Sequence, residues 1–139
     1  MQVQGLGFTG LNFHDNRITG MRTGIDLNNT GGHSIHNNVI TDNHTGMILR
    51  NQTDNISLTQ NEITNNRTVG VLFLDGSVGT NSPVQTCASC SVTNNNISGN
   101  WYGEIVDRHS GGSLPAPGTN LKNFSGNWLG STTPVITNA

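Results

Sequence analysis

Four stretches of this sequence superpose without a gap: Asn12-Phe-His-Asp-Asn-Arg-Ile-Thr19, Ser34-Ile-His-Asn-Asn-Val-Ile-Thr41, Ser57-Leu-Thr-Gln-Asn-Glu-Ile-Thr64 and Ser91-Val-Thr-Asn-Asn-Asn-Ile-Ser98. A fifth, ending in Asn123-Phe-Ser125, matches after a shift near Lys122. The anchors Ile18, Ile40, Ile63, Ile97 and Phe124 are separated by 22, 23, 34 and 27 residues. A period near 22 is one coil of a solenoid built from three short strands and their turns. The longer spacings are insertions, and they fall where Gly, Pro and Ser collect, at about 75–90 and 108–119. The reading is all-β: a right-handed parallel β-helix of about five coils, forming one domain over residues 1–139.

Each column of the superposition has a physical task. Phe13, Ile35, Leu58 and Val92 form one inward column, and the five anchors form another. Between them stand Asn16, Asn38, Asn61 and Asn95. An Asn repeated at one turn can bond its amide to the Asn above and below, which satisfies polar atoms inside the stack. A second set, Asn43, Asn66, Asn100 and Asn127, lies three residues past the anchors, with Met21 in the first coil. Glycines follow at Gly24, Gly46, Gly70, Gly103 and Gly130, as expected for a turn that requires positive φ. A returning strand comes next: Ile25–Leu27, Met47–Leu49 and Val71–Phe73.

Composition agrees. The chain of 139 residues is only 32% apolar and 10% charged, yet it holds 18 glycines, 21 asparagines and just 4 prolines. Disordered chains are rich in charge and proline; Asn and Gly suit a fold with many turns. A formal charge of −2 gives no reason to expect nucleic acid. No run approaches the roughly 20 apolar residues of a membrane span. Residues 1–11 show no basic-then-apolar signal and no helical cap. They read as a partial coil, so the start of the solenoid is either an excerpt of a longer rod or an end that stacks on a second copy.

The N-x-I-[TS]-x-N…G units resemble the parallel β-helix repeats of the pectate-lyase-like superfamily over about residues 12–130. They are also similar to β-helical stretches of large bacterial cell-surface and secreted proteins, whose last coil often carries Asn-Trp-Trp-Gly before Thr and Pro. Here that reads Asn127-Trp-Leu-Gly130 and then Ser-Thr-Thr-Pro134. The resemblance implies an exported protein found outside the cell or at its surface. It does not select an activity, because the superfamily holds lyases, hydrolases, epimerases, adhesins and inert stalks.

Four groups of residues are candidates for chemistry. Arg22, His44, Arg67, Trp101 and Trp128 follow the second turn and should form an outward stripe, one side chain per rung about 4.8 Å apart. Exposed indoles stack on sugar rings and Arg bonds hydroxyls or carboxylates, so the stripe is a carbohydrate-binding candidate. Its alternative is a stabilising ladder with a cation–π contact between Arg67 and Trp101. His14 and His36 stand on adjacent coils, but Thr59 and Thr93 continue their column. Surface stacking is therefore expected there rather than a metal site. Cys87 and Cys90, in Cys-Ala-Ser-Cys, suit a local disulfide in an exported protein. Glu104 and Asp107 are the weak catalytic candidates, beside Arg108 and His109. Glu104 aligns with Met47 and Val71, which requires either a register slip or a carboxylate partly buried in the wall.

Polysaccharide hydrolases need a carboxylate pair, and the 8 acids of this chain do not stack. Asp26 aligns with Ile48, Leu72 and Ile105, leaving three apolar residues in one outward line. The function expected is a structural or adhesive β-solenoid module, without a cofactor. Its expected partners are a second copy of itself, end to end or laterally, or a polysaccharide. A polysaccharide-active lyase, hydrolase or epimerase is the alternative, and a self-assembling fibre subunit is a third reading.

Overall fold

The computed structural model describes residues 1–5, 7–74, 87–108 and 122–135. These hold thirteen strands and no helix. A partial coil contributes β1 (Gln2–Gln4). The first full coil holds β2 (Asn12–His14), β3 (Arg17–Thr19) and β4 (Thr23–Asn28), and the second β5 (Ser34–His36), β6 (Val39–Thr41) and β7 (Thr45–Arg50). The third coil is β8 (Ser57–Thr59), β9 (Glu62–Thr64) and β10 (Val69–Leu74). The fourth is β11 (Ser91–Thr93), β12 (Asn96–Ser98) and β13 (Gly103–Arg108). Each strand pairs in parallel with its equivalent one coil away, giving three sheets: β1-β4-β7-β10-β13, β2-β5-β8-β11 and β3-β6-β9-β12. This is a right-handed parallel β-helix of the pectate-lyase-like type. The insertions expected at about 75–90 and 108–119 lie mostly on 75–86 and 109–121, outside the described residues.

The core is the set of inward columns. Ile35, Leu58 and Val92 stack in the second sheet, Ile40, Ile63 and Ile97 in the third, and Ile25, Met47 and Val71 in the first, all fully buried. Removing each such side chain from water is worth about 1.5–3 kcal/mol. Strands of three residues cannot hold themselves together, so these ladders and the turns between them specify the coil.

Both internal turns use one local device. A residue in the left-handed region is followed at once by an inward Asn, except in the first coil's second turn, where exposed Met21 follows Gly20. The left-handed columns are Asp15, Asn37, Gln60, Asn94 and Gly126 at the first turn, and Gly20, Asp42, Asn65 and Gly99 at the second. Asn and Asp reach this region because their short polar side chains offset the steric penalty. The first ladder runs Asn16, Asn38, Asn61, Asn95 and Asn127. Each Oδ1 from Asn38 onward accepts from both the backbone N–H and the Nδ2 of the preceding member, at 2.9–3.1 Å. The second ladder runs Asn43, Asn66 and Asn100 in the same way.

Three expectations are corrected here. Asn127 belongs to the first ladder and not the second. Its spacing from Asn95 is 32 residues, and Phe124 accordingly continues the Phe13–Val92 column while Leu129 takes the anchor slot after Ile97. Secondly, the column Gly24, Gly46 and Gly70 does not have positive φ. Glycine is required by close approach: a Cβ on Gly46 would lie 2.5 Å from the Gly70 carbonyl oxygen and 2.9 Å from Ile63. Thirdly, Gly103 pairs with Val69 and Ile105 with Val71. Ile105 is therefore inward, Val106 completes the outward line after Leu72, and Glu104 takes the glycine slot opposite Gly70.

Candidate functional site

The outward column of the second turn is real for four of its five expected members. The backbone N–H groups of His44, Arg67 and Trp101 bond to the carbonyls of Met21, Asn43 and Asn66 at 2.8, 2.8 and 3.1 Å, so Arg22, His44, Arg67 and Trp101 rise one per rung. All four side chains are exposed, Trp101 to 81%. Trp128 is not in this column: it pairs with Asn96 and stands in line with Glu62, Val39 and Arg17 on the third sheet. The cation–π contact expected between Arg67 and Trp101 is not formed; among the described residues that geometry belongs to Lys122, whose Nζ lies 5.5 Å from the Phe73 ring. Arg67 and Trp101 instead line, with Asn65, Asn66 and Gly99, a shallow open groove of about 530 Å3.

Glu104 acts as a ladder cap. Its Oε2 accepts from Asn100 Nδ2 at 2.5 Å and from the Asn100 backbone N–H at 3.4 Å, taking the place that the next Asn would fill. A carboxylate is suited to this because it offers acceptors only. Asp107 is exposed and in register with Phe73. The structure thus gives Glu104 a structural partner and does not join it to Asp107 by any contact among the described residues. His109 lies outside them.

Other side chains show what the outer faces offer. Asp26, on the outside of the longest sheet, is nearly buried and receives a two-pronged bond from Arg50, Nε to Oδ1 at 2.9 Å and Nη2 to Oδ2 at 2.5 Å. Its column continues with Gln2, Ile48, Leu72 and Val106, so no second carboxylate is in line. Sequence reasoning missed this pair, although the register shows it: Arg50 is two residues past Ile48, diagonal to Asp26 on the same face. His33 was also missed, because no other coil has a His there. It is 2% exposed; its Nδ1 accepts from the Leu11 N–H at 3.2 Å, and its Nε2 is 2.8 Å from Thr30 Oγ1. Thr30 Oγ1 donates to the Phe8 carbonyl, so Nε2 must carry the proton and the ring is neutral. Burial lowers its pKa from 6.5. Cys87 and Cys90 are buried and joined by a disulfide.

His14 and His36 stack face to face, centroids 4.9 Å apart with an interplanar angle of 5°. His14 Nδ1 lies 2.6 Å from Asp15 Oδ2, and His36 Nε2 lies 3.0 Å from Asn12 Oδ1.

A parallel β-helix of three sheets with Asn-laddered turns defines the class, and the family comparison refines it. The chain belongs to the NosD family: the family model described as periplasmic copper-binding protein (NosD) matches residues 6–82. No curated protein and no solved structure matches the chain. A periplasmic family agrees with an exported protein, and among the described residues no helix is long and apolar enough to cross a membrane.

The family description names copper, and the described residues of the matched segment do not fit a copper centre. A metal shared by two imidazoles must lie in both ring planes, about 2 Å from each nitrogen. The near-parallel rings of His14 and His36 do not converge on such a point. His33 has both nitrogens engaged, Met47 is in the core, and the segment holds no cysteine. Among the described residues no three His, Cys, Asp or Glu side chains gather.

Proposed function

We propose that this chain is a non-catalytic β-solenoid module of an exported protein, a stiff scaffold that presents recognition side chains on its outer columns. One observation carries the reading. On the longest sheet, where the outward positions are most numerous, the carboxylate of Asp26 is locked against Arg50 and its column offers no second acid. Hydrolysis of a glycosidic bond uses two carboxylates flanking the bond, and a uronate lyase uses a free base. Of the two catalytic candidates, Glu104 commits Oε2 to Asn100, and the column of Asp107, which runs through Phe73, Leu49 and Leu27, holds no second acid.

The test is a cleavage screen of neutral and acidic polysaccharides across the pH range, with and without calcium, reading new reducing ends and unsaturated products. No product from any substrate is the expected result. Turnover abolished by Asp26→Asn or by Glu104→Gln would replace the scaffold reading with the enzymatic one.

A further inference from the structure

We propose that the groove between Arg67 and Trp101 is a subsite for an acidic pyranose unit of an extended polysaccharide. The inference deepens the scaffold reading and rests on it. Three features of the groove point to this ligand. The Trp101 indole is 81% exposed, at a position where the preceding rungs carry Arg or His. An open indole face beside a groove is a stacking surface for the C–H face of a sugar ring. Next, the Arg67 guanidinium one rung away is exposed and has no hydrogen-bond or ion-pair partner among the described residues. Its planar fork matches a carboxylate bidentately. Finally, Asn65 and Asn66, which complete the lining, are rigidly held and carry amide groups.

Rigidity comes from the ladder. Asn66 is held by Asn100 Oδ1 at 2.8 and 3.0 Å and donates to the Ile40 carbonyl at 3.1 Å. Its neighbours Asn65 and Arg67 are therefore fixed in backbone, and little ordering remains to be done on binding. Gly99 leaves room beside it: a Cβ there would lie 2.8 Å from Asn65 Oδ1, so the missing side chain gives the Asn65 amide space. That amide is exposed and offers a donor and an acceptor to ring hydroxyls. Adjacent rungs continue the surface with His44 and Arg22. An extended chain laid along the column meets one side chain per rung, about every 4.8 Å. Asp42 sits beside His44 at the neighbouring turn column, whereas Asn65 stands at that place beside Arg67, and the Glu104 carboxylate next along the ladder is bonded to Asn100. With a net charge of −2 the whole chain is not a general polyanion binder.

Titration calorimetry with an oligogalacturonate, and separately with a neutral gluco-oligomer of equal length, tests the proposal. The proteins are the intact chain, Trp101→Ala, Arg67→Ala and, as a control on the third sheet, Arg17→Ala. All three side chains are exposed, so circular dichroism and melting should match the parent. Trp101→Ala should weaken the acidic oligomer at least tenfold. Arg67→Ala should weaken it at least fivefold while leaving any neutral binding unchanged, and Arg17→Ala should have no effect. Parent-like affinity in Trp101→Ala, equal loss in Arg17→Ala and Arg67→Ala, or no binding of the acidic oligomer by the parent overturns the subsite. Cleavage of the oligomer by the parent would instead overturn the non-catalytic reading and leave the subsite standing, so the two failures are distinguishable.

Discussion

Replacing Asn61 with Ala should cost far more than the same change at Asn16, although both belong to one ladder. Asn61 is 2% exposed. Its Nδ2 donates to the carbonyls of Ile35 and Thr59 at 2.9 Å each and to Asn95 Oδ1 at 3.0 Å. Its Oδ1 accepts from the Asn38 N–H and the Asn38 Nδ2, both at 3.0 Å. Truncation leaves the Asn38 N–H and two carbonyls short of a partner inside the coil. At about 1–1.5 kcal/mol for each deprived group the loss comes to about 3–5 kcal/mol, a large share of the 5–15 kcal/mol of a typical fold. Asn16 is at the open end of the ladder. It donates to Asn38 Oδ1 and to the His14 carbonyl, and its own Oδ1 receives no bond among the described residues. Water can replace those contacts, so Asn16→Ala should cost about 1 kcal/mol or less. Urea unfolding followed by circular dichroism and by tryptophan fluorescence measures both, and coincident curves justify a two-state treatment. A thermal scan should show Asn61→Ala melting about 10 °C or more below the parent. Equal destabilisation by the two variants, or a loss under about 1 kcal/mol at Asn61, would refute the ladder as the element that holds the coils together.

Gly46→Ala should destabilise by about 2–3 kcal/mol because its Cβ meets backbone 2.5 Å away, whereas Gly7→Ala, with nothing within 4 Å, should be neutral; similar urea midpoints for the two would contradict the close-approach argument. His33, held neutral by burial, binds its proton less readily when folded than when unfolded. Stability should therefore be full above about pH 6.5 and fall as the pH drops from there toward the lower folded value; His33→Gln should flatten that dependence, and an unchanged slope would remove His33 as its source. Copper titration followed by electron paramagnetic resonance should reveal no tight one-to-one site, and a nanomolar site abolished by His14→Ala or His36→Ala would overturn the ring-plane argument. Unreduced protein should give no reaction with a thiol reagent, since Cys87 and Cys90 are paired; reduction should lower stability by about 2 kcal/mol for so short a loop, and two titratable thiols before reduction would contradict the pairing.

The candidate site was legible to the extent that it is written in the repeat. Arg22, His44, Arg67 and Trp101 share one offset from the anchors Ile18, Ile40, Ile63 and Ile97, so periodicity alone lines them up. What escaped depends on contacts between unlike positions. The pairing of Arg50 with Asp26 crosses from one outward column to the next. The enclosure of His33 by Thr30 and Leu11 has no counterpart on other rungs to mark it. Glu104 as a cap required knowing that β13 enters the sheet one residue out of register with the glycine column.

The misplacement of the fifth coil has a more specific physical origin. Gly99-Asn100-Trp101 and Gly126-Asn127-Trp128 read identically, yet they occupy different turns. Both turns are made the same way, by a left-handed residue followed by an inward Asn, so a three-residue window contains no information about which one it forms. Residues further out do. Two positions past each first-ladder Asn stands an anchor, Ile18, Ile40, Ile63 or Ile97, because the chain must re-enter the core after that turn. Two positions past the second-ladder Asn stand Thr45, Thr68 and Tyr102, none of them an aliphatic core residue. Leu129 is apolar, and Phe124 lies three before Asn127 just as Val92 lies three before Asn95. The burial demand of the flanking positions therefore assigns Asn127 to the first ladder, and with it moves Trp128 off the outward column of the second turn. In a solenoid the turn chemistry is repeated and ambiguous, while the distance between successive core contacts is not; register in such folds is best read from the apolar residues on either side of a turn.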